Sequence, residues 1–267
     1  MDVRCQRLSQ APNCLVPCFH VLDDHMATKS RPTSSRFAGF ADRNGRFFRA
    51  LARNQQRDWF ALHRAEYEDG WLTPMKALLA EVRERIQPFF AHEELAAPKV
   101  FRIHRDVRFS KDKSPYKTHI GGYVGIDGTG QGPSGTAALY VHLGASKVYP
   151  GQGEVFVAAG QYMMDAGQLA RFREAVVDER RGRTLAALLR TLAKAGFAPG
   201  SHETLQRVPR GFDPDHPRGD LLKRKGLIVT FPDLPRELLV SRALVDWLVA
   251  HTKRAAHLVE WLAAVTA

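Results

Sequence analysis

The chain has 267 residues, 44% of them hydrophobic and 25% charged, and its 39 lysines and arginines outnumber its 28 aspartates and glutamates by 11. That apolar fraction excludes a wholly disordered chain, and the 21 glycines and 15 prolines follow no strict repeat, which excludes a fibrous protein. No stretch approaches the roughly 18 consecutive apolar residues that cross a bilayer, so we expect no membrane partner. The apolar patch at residues 15–22 is too interrupted for a secretory signal, so we expect a cytoplasmic location.

The cysteines lie only near the N-terminus, at Cys5, Cys14 and Cys18. The residues that follow them therefore cannot form a disulfide among themselves. Two of these cysteines, with His20 and His25, are residue types that zinc prefers, but their spacing matches no standard zinc finger. We therefore predict no metal site.

The N-terminal residues also suggest how the chain is organised. A second methionine, Met26, precedes a short leader rich in serine, threonine, arginine and lysine. We expect the native start at Met26, with residues 1–25 an over-extended gene prediction and residues 1–36 a disordered extension. Residues 37–267 are expected to form a single α+β domain, long enough to bury a core without disulfides or metal.

Helical periodicity predicts three helices before any strand. In the first helix, Asp42 or Asn44 can cap the first turn, because both side chains accept hydrogen bonds from backbone N–H groups. Asp58 is predicted to cap the second helix. Thr73 and Pro74 are interpreted as the N-cap and first position of the third helix.

After Pro98 the apolar period changes to two, which is typical of strands. From Val100 to Phe109 apolar residues alternate with polar ones, which predicts a strand with one buried and one polar face. Further strands are predicted at residues 122–126, 137–143, 154–159 and 226–231. Short glycine-rich turns between the first three of these favour antiparallel neighbours.

The remaining chain is predicted to be mostly helical, with the strand at residues 226–231 before the last helix. Helices are predicted from Asp165, over residues 184–195 and, as a long amphipathic helix, over residues 244–262. The predicted fold class is therefore α+β, a mostly antiparallel sheet with segregated helices, three N-terminal helices and a long C-terminal helix.

The excess positive charge is concentrated in two stretches. Residues 102–117 contain six basic and two acidic residues, and residues 205–225 contain six basic and three acidic residues. In the first stretch Arg105 interrupts the apolar face, so it must pair with an acid, bind an anion or sit at a β-bulge. The loop that follows contains hydroxyls, ammonium groups and a bend fixed by proline, which together suit a phosphate or carboxylate.

The first basic stretch also carries a family resemblance. Residues 105–117 read Arg-Asp-Val-Arg-Phe-Ser-Lys-Asp-Lys-Ser-Pro-Tyr-Lys, and the motifs Gly160-Gln-Tyr162 and Gly211-Phe-Asp-Pro-Asp-His-Pro217 follow. Together they resemble the bacterial and fungal family of conserved hypothetical proteins called domain of unknown function 2461. The resemblance spans about residues 37–262 and implies a single domain without implying an activity. Its members commonly carry tyrosine at the position of His104, which argues against an essential histidine there.

The matching residues of this stretch are the predicted functional surface. The expected ligand contacts are Arg105, Arg108, Ser110, Lys111, Lys113, Tyr116 and Lys117. Asp106 is the candidate catalytic residue, either as a base or to orient an arginine. A metal site or base built from His104, His119 or His142 is less favoured, because 11 histidines produce some chance pairs. No known catalytic motif and no cofactor is identified, so enzymatic activity stays open.

Three hypotheses follow from this sequence. The favoured one is a protein that binds or acts on a small ligand bearing phosphate or carboxylate. The second is a nucleic-acid-binding module that uses both basic stretches, although Phe101, Phe109 and Tyr116 are placed mainly as core residues. The third is a structural ion-pair network, with function elsewhere.

Overall fold

The computed structural model describes residues 36–108, 111–130, 132–144 and 154–267. The predictions for the N-terminal cysteines, for the start at Met26 and for the disordered extension concern residues outside these ranges, apart from residue 36. Phe109 and Ser110 also lie outside the described residues.

The described chain begins with helices, as the apolar spacing predicts, and the predicted second helix is divided at His63 into two short ones. The helices are α1 Arg46–Arg53, α2 Arg57–Leu62, α3 Arg64–Tyr67 and α4 Thr73–Ile86. Between α3 and α4 the backbone stays helical through one π-helical turn, Glu68–Leu72, and a 3₁₀ turn, Gln87–Phe89, follows α4.

The N-cap residue of α1 is Gly45, so neither Asp42 nor Asn44 occupies that position, but Asp42 still supports the first turn from outside the helix. Its carboxylate accepts the N–H groups of Asn44 over 2.7 Å and of Arg46 over 3.2 Å, so it satisfies donors that lack helical partners. Gly45, with a φ of 64°, turns the chain into the helix.

Two predicted helix starts are wrong. Asp58 lies inside the first turn of α2, so it is not the residue that precedes the helix. Thr73 follows a residue that is already helical. Proline has no backbone N–H, so Pro74 cannot donate a helical hydrogen bond to the carbonyl of Gly70. The N–H of Ala41 donates to that carbonyl over 3.1 Å instead. The proline is therefore tolerated within continuous helical backbone.

Within the described residues, six strands form an antiparallel sheet in the order β1-β2-β3-β4-β6-β5. They are β1 Lys99–Val100, β2 His119–Gly125, β3 Thr136–Gly144, β4 Val155–Gln161, β5 Ala198–Gly200 and β6 Leu227–Thr230. The predictions for β2, β3, β4 and β6 are confirmed, because alternating or continuous apolar residues mark each of them.

The strand predicted from Val100 to Phe109 is wrong beyond its first residues. β1 ends at Val100, and a further hydrogen bond, from the N–H of Phe101 to the carbonyl of Gly121, continues the pairing with β2. The chain then pairs with its own returning segment. The alternation of polar and apolar residues was recognised, but it does not reveal which partner the segment pairs with.

The C-terminal half supplies the helices α5 Ala166–Val177, α6 Glu179–Lys194, α7 Gly219–Leu222 and α8 Ala243–Thr266. The predicted start of α5 at Asp165 is confirmed by a capping box with Gln168. α6 begins five residues earlier than predicted, because the side chain of Asp178 accepts the N–H of Arg181 and caps it. A 3₁₀ turn, Arg236–Val240, precedes α8.

Helices α4 and α8 pack against one face of the sheet. Leu79 of α4 lies 2.6 Å from the point that a Cβ of Gly122 would occupy, so glycine permits this close approach. Residues paired directly across antiparallel strands share a face, and the opposite face carries the pairs Tyr123–Tyr140 and His142–Phe156. The arrangement confirms the predicted α+β class. No helix in the described ranges combines the length and the apolar character needed to cross a membrane.

Candidate functional site

The basic stretch between β1 and β2 folds back on itself, and its two described segments, residues 103–108 and 111–117, form the arms of a hairpin. The N–H of Arg105 donates to the carbonyl of Pro115 over 2.9 Å, and the N–H of Lys117 donates to the carbonyl of Ile103 over 2.8 Å. These two hydrogen bonds flank a bridge between His104 and Tyr116. The hairpin therefore brings the start and the end of the basic stretch to the same place.

Tyr116 anchors the hairpin to the N-terminal helices. Its N–H donates to Oε1 of Gln55 over 3.1 Å, and its ring stacks on Phe60 with 4.5 Å between centroids. The residue is only 4% exposed. Tyr116 is thus a core residue that holds the hairpin in position, which limits the ligand contact expected of it.

Arg105 pairs with an acid, the first of the three alternatives that its position on the apolar face allows. Its guanidinium contacts the carboxylate of Asp112, and Ser114 donates to that carboxylate from its hydroxyl over 2.6 Å and from its N–H over 2.9 Å. The two Ser114 hydrogen bonds, followed by the Arg105 contact, lower the pKa of Asp112 to about 2. Asp112 therefore carries a full negative charge at neutral pH and fixes the orientation of Arg105.

Asp106 and Arg108 form a second ion pair inside the hairpin. Nε and Nη2 of Arg108 donate to the two carboxylate oxygens of Asp106 over 3.0 and 2.7 Å. The side-chain and backbone hydrogen bonds from Arg108 hold the pKa of Asp106 below its ordinary value. The pair is exposed, so it contributes little to stability, and a carboxylate with a lowered pKa is a weaker base.

The lysines of the stretch differ in their surroundings. Lys111 is exposed, and Lys113 donates from Nζ to the carbonyl of Val107 over 2.9 Å. Lys117 is half-buried, with its ammonium 5.4 Å from the centroid of the Phe101 ring. Burial, and then the charge of Arg102, lower the pKa of Lys117. The ammonium of Lys117 is therefore partly shielded from water.

An open cleft of about 600 Å³ lies between the hairpin, the residues around the end of α1 and the start of β2. Its lining brings together Arg105, Asp106, Asp112, Ser114, Tyr116, Lys117, Thr118 and His119 with Ala52 and Gln55. Among the predicted ligand contacts, Arg108, Lys111 and Lys113 do not line this cleft, and Ser110 is not described.

The histidine that reaches the cleft is His119, which the sequence identified only as one of several weak candidates. Burial and the charges of Lys117 and Arg105 lower its pKa to about 4, so its imidazole is neutral at pH 7. Its ring centroid lies 4.3 Å from that of His142. The sequence feature that could have identified His119 is its spacing, because residues two apart in an extended segment share a face and His119 follows Lys117 by two. His104 does not line the cleft, and no cluster of three potential metal ligands occurs among the described residues.

The acidity of Asp112 predicts a pH dependence of stability. Because its folded pKa of about 2 is below its ordinary value of 3.8, ionised Asp112 stabilises the fold above about pH 4, and this contribution disappears as pH falls from about 4 to 2. We expect the melting temperature of Asp112→Asn to lie below that of wild type at about pH 5 and to converge with it near pH 2. A constant difference across this range would show that the carboxylate charge is not what holds the hairpin.

Several basic residues of the second stretch are already paired within the fold. These pairs are Arg218–Glu179, Lys223–Asp220 and Lys225–Glu203. Arg218 also donates from Nε to the carbonyl of Val176 over 2.7 Å, and its side chain is 13% exposed. Burial lowers the pKa of Arg224. Of the six basic residues of this stretch, three are therefore engaged in ion pairs and a fourth, Arg224, is partly buried.

The described fold and site define a class of protein, an α+β protein whose antiparallel sheet packs against helices on one face and whose β1–β2 connection is a charged hairpin. The chain belongs to the family described as conserved hypothetical protein (DUF2461), domain of unknown function 2461, whose family model matches residues 45–261. This confirms the resemblance carried by the basic stretch, and the matched region contains the hairpin and the cleft. No curated protein and no solved structure matches the chain.

Proposed function

We propose that the cleft binds a small ligand that bears a phosphate or a carboxylate. The observation that carries this proposal is the ammonium group of Lys117. The residue is half-buried, its ammonium lies beside the Phe101 ring, and no carboxylate of the described residues lies within 4.0 Å of that ammonium. Partial burial of a charge without an opposite charge is unfavourable, so an anion in the cleft would gain a strong interaction there.

Arg105 would be the second contact to the anion. The contact with Asp112 uses one of the five N–H groups of its guanidinium, so further donors remain in a fixed planar arrangement. Such an arrangement suits the two oxygens of a phosphate or carboxylate. The contacts of Asp112 with Ser114 favour binding further, because they restrict the guanidinium before the ligand arrives.

His119 and Asp106 would complete the site in different ways. The neutral imidazole of His119 can accept or donate one hydrogen bond to the ligand, depending on its tautomer. Asp106 lines the same cleft, and the two hydrogen bonds that it accepts from the Arg108 side chain support a role in orienting that arginine more than a role as a base.

Nucleic acid is a less well supported ligand. Four of the six basic residues in the second stretch are paired or partly buried, so contact with a phosphate backbone would have to compete with their existing partners. Near the hairpin, Tyr116 is buried and cannot serve as a stacking surface for a base. A cleft of about 600 Å³ also has the size of small-molecule sites.

The proposal is tested by calorimetric titration with inorganic phosphate, malonate and a short single-stranded oligonucleotide. We expect saturable binding of phosphate or malonate that weakens by less than about tenfold between about 50 and 200 mM salt. Nucleic-acid binding that neutralises about six phosphates would instead weaken roughly a thousandfold over this range. Binding of the oligonucleotide alone, with that steep dependence, would contradict the proposal and favour the nucleic-acid hypothesis.

A further inference from the structure

A second, smaller cavity lies on the face of the sheet opposite α4 and α8. Its volume is about 180 Å³. Its lining includes five aromatic residues, Phe101, Tyr123, Tyr140, Phe156 and Tyr162. The central strands contribute small residues to the same lining, namely Ala137, Ala158 and Gly160. The cavity is therefore mostly apolar, and aromatic rings form a large part of its walls.

The cavity exists because small residues occupy positions where strands usually carry large ones. Ala158 of β4 pairs directly with Tyr140 of β3, so the two side chains share a face and the alanine leaves space beside the ring. At Gly121 a Cβ would lie 3.2 Å from the hydroxyl of Tyr140 and 3.4 Å from the ring of Phe101. Glycine at this position lets both rings stand close to the strand.

Two contacts connect this cavity with the charged cleft. Phe101 lines the cavity, and the Lys117 ammonium lies 5.4 Å from the centroid of its ring. The hydroxyl of Tyr140 lies 3.3 Å from Nδ1 of His142, whose ring is 4.3 Å from that of His119. The cation that carries the proposed anion site is therefore next to a wall of the aromatic cavity.

We propose that the ligand is an aromatic anion, with a single planar ring in the cavity and its phosphate or carboxylate beside Lys117. This inference rests on the proposed function and specifies its ligand class. An apolar cavity of about 150 Å³ is known to accept one benzene ring, so a volume of about 180 Å³ has room for one planar ring. The aromatic walls favour a planar ring, since they offer stacked and edge contacts.

The test compares four probes on the full chain by calorimetric titration: phenyl phosphate, benzoate, inorganic phosphate and benzyl alcohol. We expect phenyl phosphate to bind at least about tenfold more tightly than inorganic phosphate, because its ring leaves water. Benzyl alcohol should bind at least about tenfold more weakly than phenyl phosphate, because it lacks the anion. Benzoate distinguishes a carboxylate ligand from a phosphate ligand.

Two variants show where the ring binds. Ala158→Leu fills the cavity, and Phe101→Ala removes a wall that is already 37% exposed, so the second variant is expected to fold. Both should reduce the preference for phenyl phosphate over inorganic phosphate to about one. Leu62→Ala, at a residue that is 83% exposed and lines neither site, is the matched control and should keep the preference.

The outcomes separate this inference from the proposed function. Equal affinity of wild type for phenyl phosphate and inorganic phosphate would overturn the aromatic ligand and leave the anion site intact. Benzyl alcohol binding as tightly as phenyl phosphate would overturn the link between ring and anion. If none of the anions binds, both the inference and the proposed function fail.

Discussion

Lys117→Met is expected to weaken the binding of inorganic phosphate by about 10- to 100-fold, because a hydrogen bond to a charged group contributes about 1.5–3 kcal/mol. Methionine keeps an unbranched apolar chain of similar length against the Phe101 ring, so the packing is retained. The variant also removes a half-buried charge, and its melting temperature should equal or exceed that of wild type. Calorimetric titration and thermal unfolding measure the two effects.

The matched control for this substitution is Lys194→Met, at an exposed lysine in the last turn of α6. It makes the same change of net charge away from the cleft, so it should leave phosphate affinity within about twofold of wild type. If both variants lose affinity equally, binding reflects the overall charge of the protein and not the cleft. If Lys117→Met binds phosphate normally, Lys117 is not part of an anion site.

Gly160→Ala is expected to lower the free energy of unfolding by about 3 kcal/mol or more, which corresponds to a melting temperature lower by roughly 6–12 °C. Gly160 has a φ of 117°, which side chains rarely allow, and its strand lies between β3 and β6. A Cβ at this position would overlap the carbonyl oxygen of Leu227 and lie 3.0 Å from Cα of Ile228. The two central strands would have to separate.

Gly211→Ala is the control for the backbone conformation alone. Gly211 has a φ of 92°, but a Cβ there would meet no atom within 4 Å. We expect Gly211→Ala to lower the free energy of unfolding by about 1–2 kcal/mol, from backbone strain alone, because no atom overlaps the new Cβ. Thermal or urea unfolding of the two variants compares them directly. Equal losses would show that the close approach of β4 and β6 does not determine the need for glycine at position 160.

The sequence predicted most of the sheet because its central strands have strong and simple patterns. β3 and β4 are continuous or alternating apolar segments between glycine-rich turns, and α5 begins at a capping box that is visible in the residues. Each of these signals is local. The π-helical turn before Pro74 was not predicted, because its hydrogen bond from Ala41 comes from a distant segment of the chain.

The hairpin shows where alternation stops being informative. Polar and apolar residues alternate over most of the segment from Val100 to Val107. The exposed residues of this segment are polar, apart from Phe101. This pattern does not distinguish a strand of the sheet from one arm of a hairpin. The odd arginine in this pattern, Arg105, correctly indicated a pairing requirement. Its partner, Asp112, became evident only once the chain folded back.

The two candidate binding regions differ in how visible they are in the sequence. The cleft was partly predicted, since Arg105, Asp106 and Lys117 lie within one charged stretch. The aromatic cavity was not predicted, because its residues come from several strands and its floor consists of alanines and glycines that are unremarkable individually. Only the register of β3 against β4 places Ala158 beside Tyr140.

The most direct test of the anion site is to map where inorganic phosphate binds. Backbone amide NMR shifts of isotopically labelled full-length protein would be followed during a phosphate titration at about 50 and 200 mM salt. We predict saturating shifts of the amides of Arg105, Lys117, Thr118 and His119, with one dissociation constant and no comparable shifts in residues 205–225. Shifts spread over both basic stretches, or none in the cleft, would contradict the anion site proposed for the family member described here.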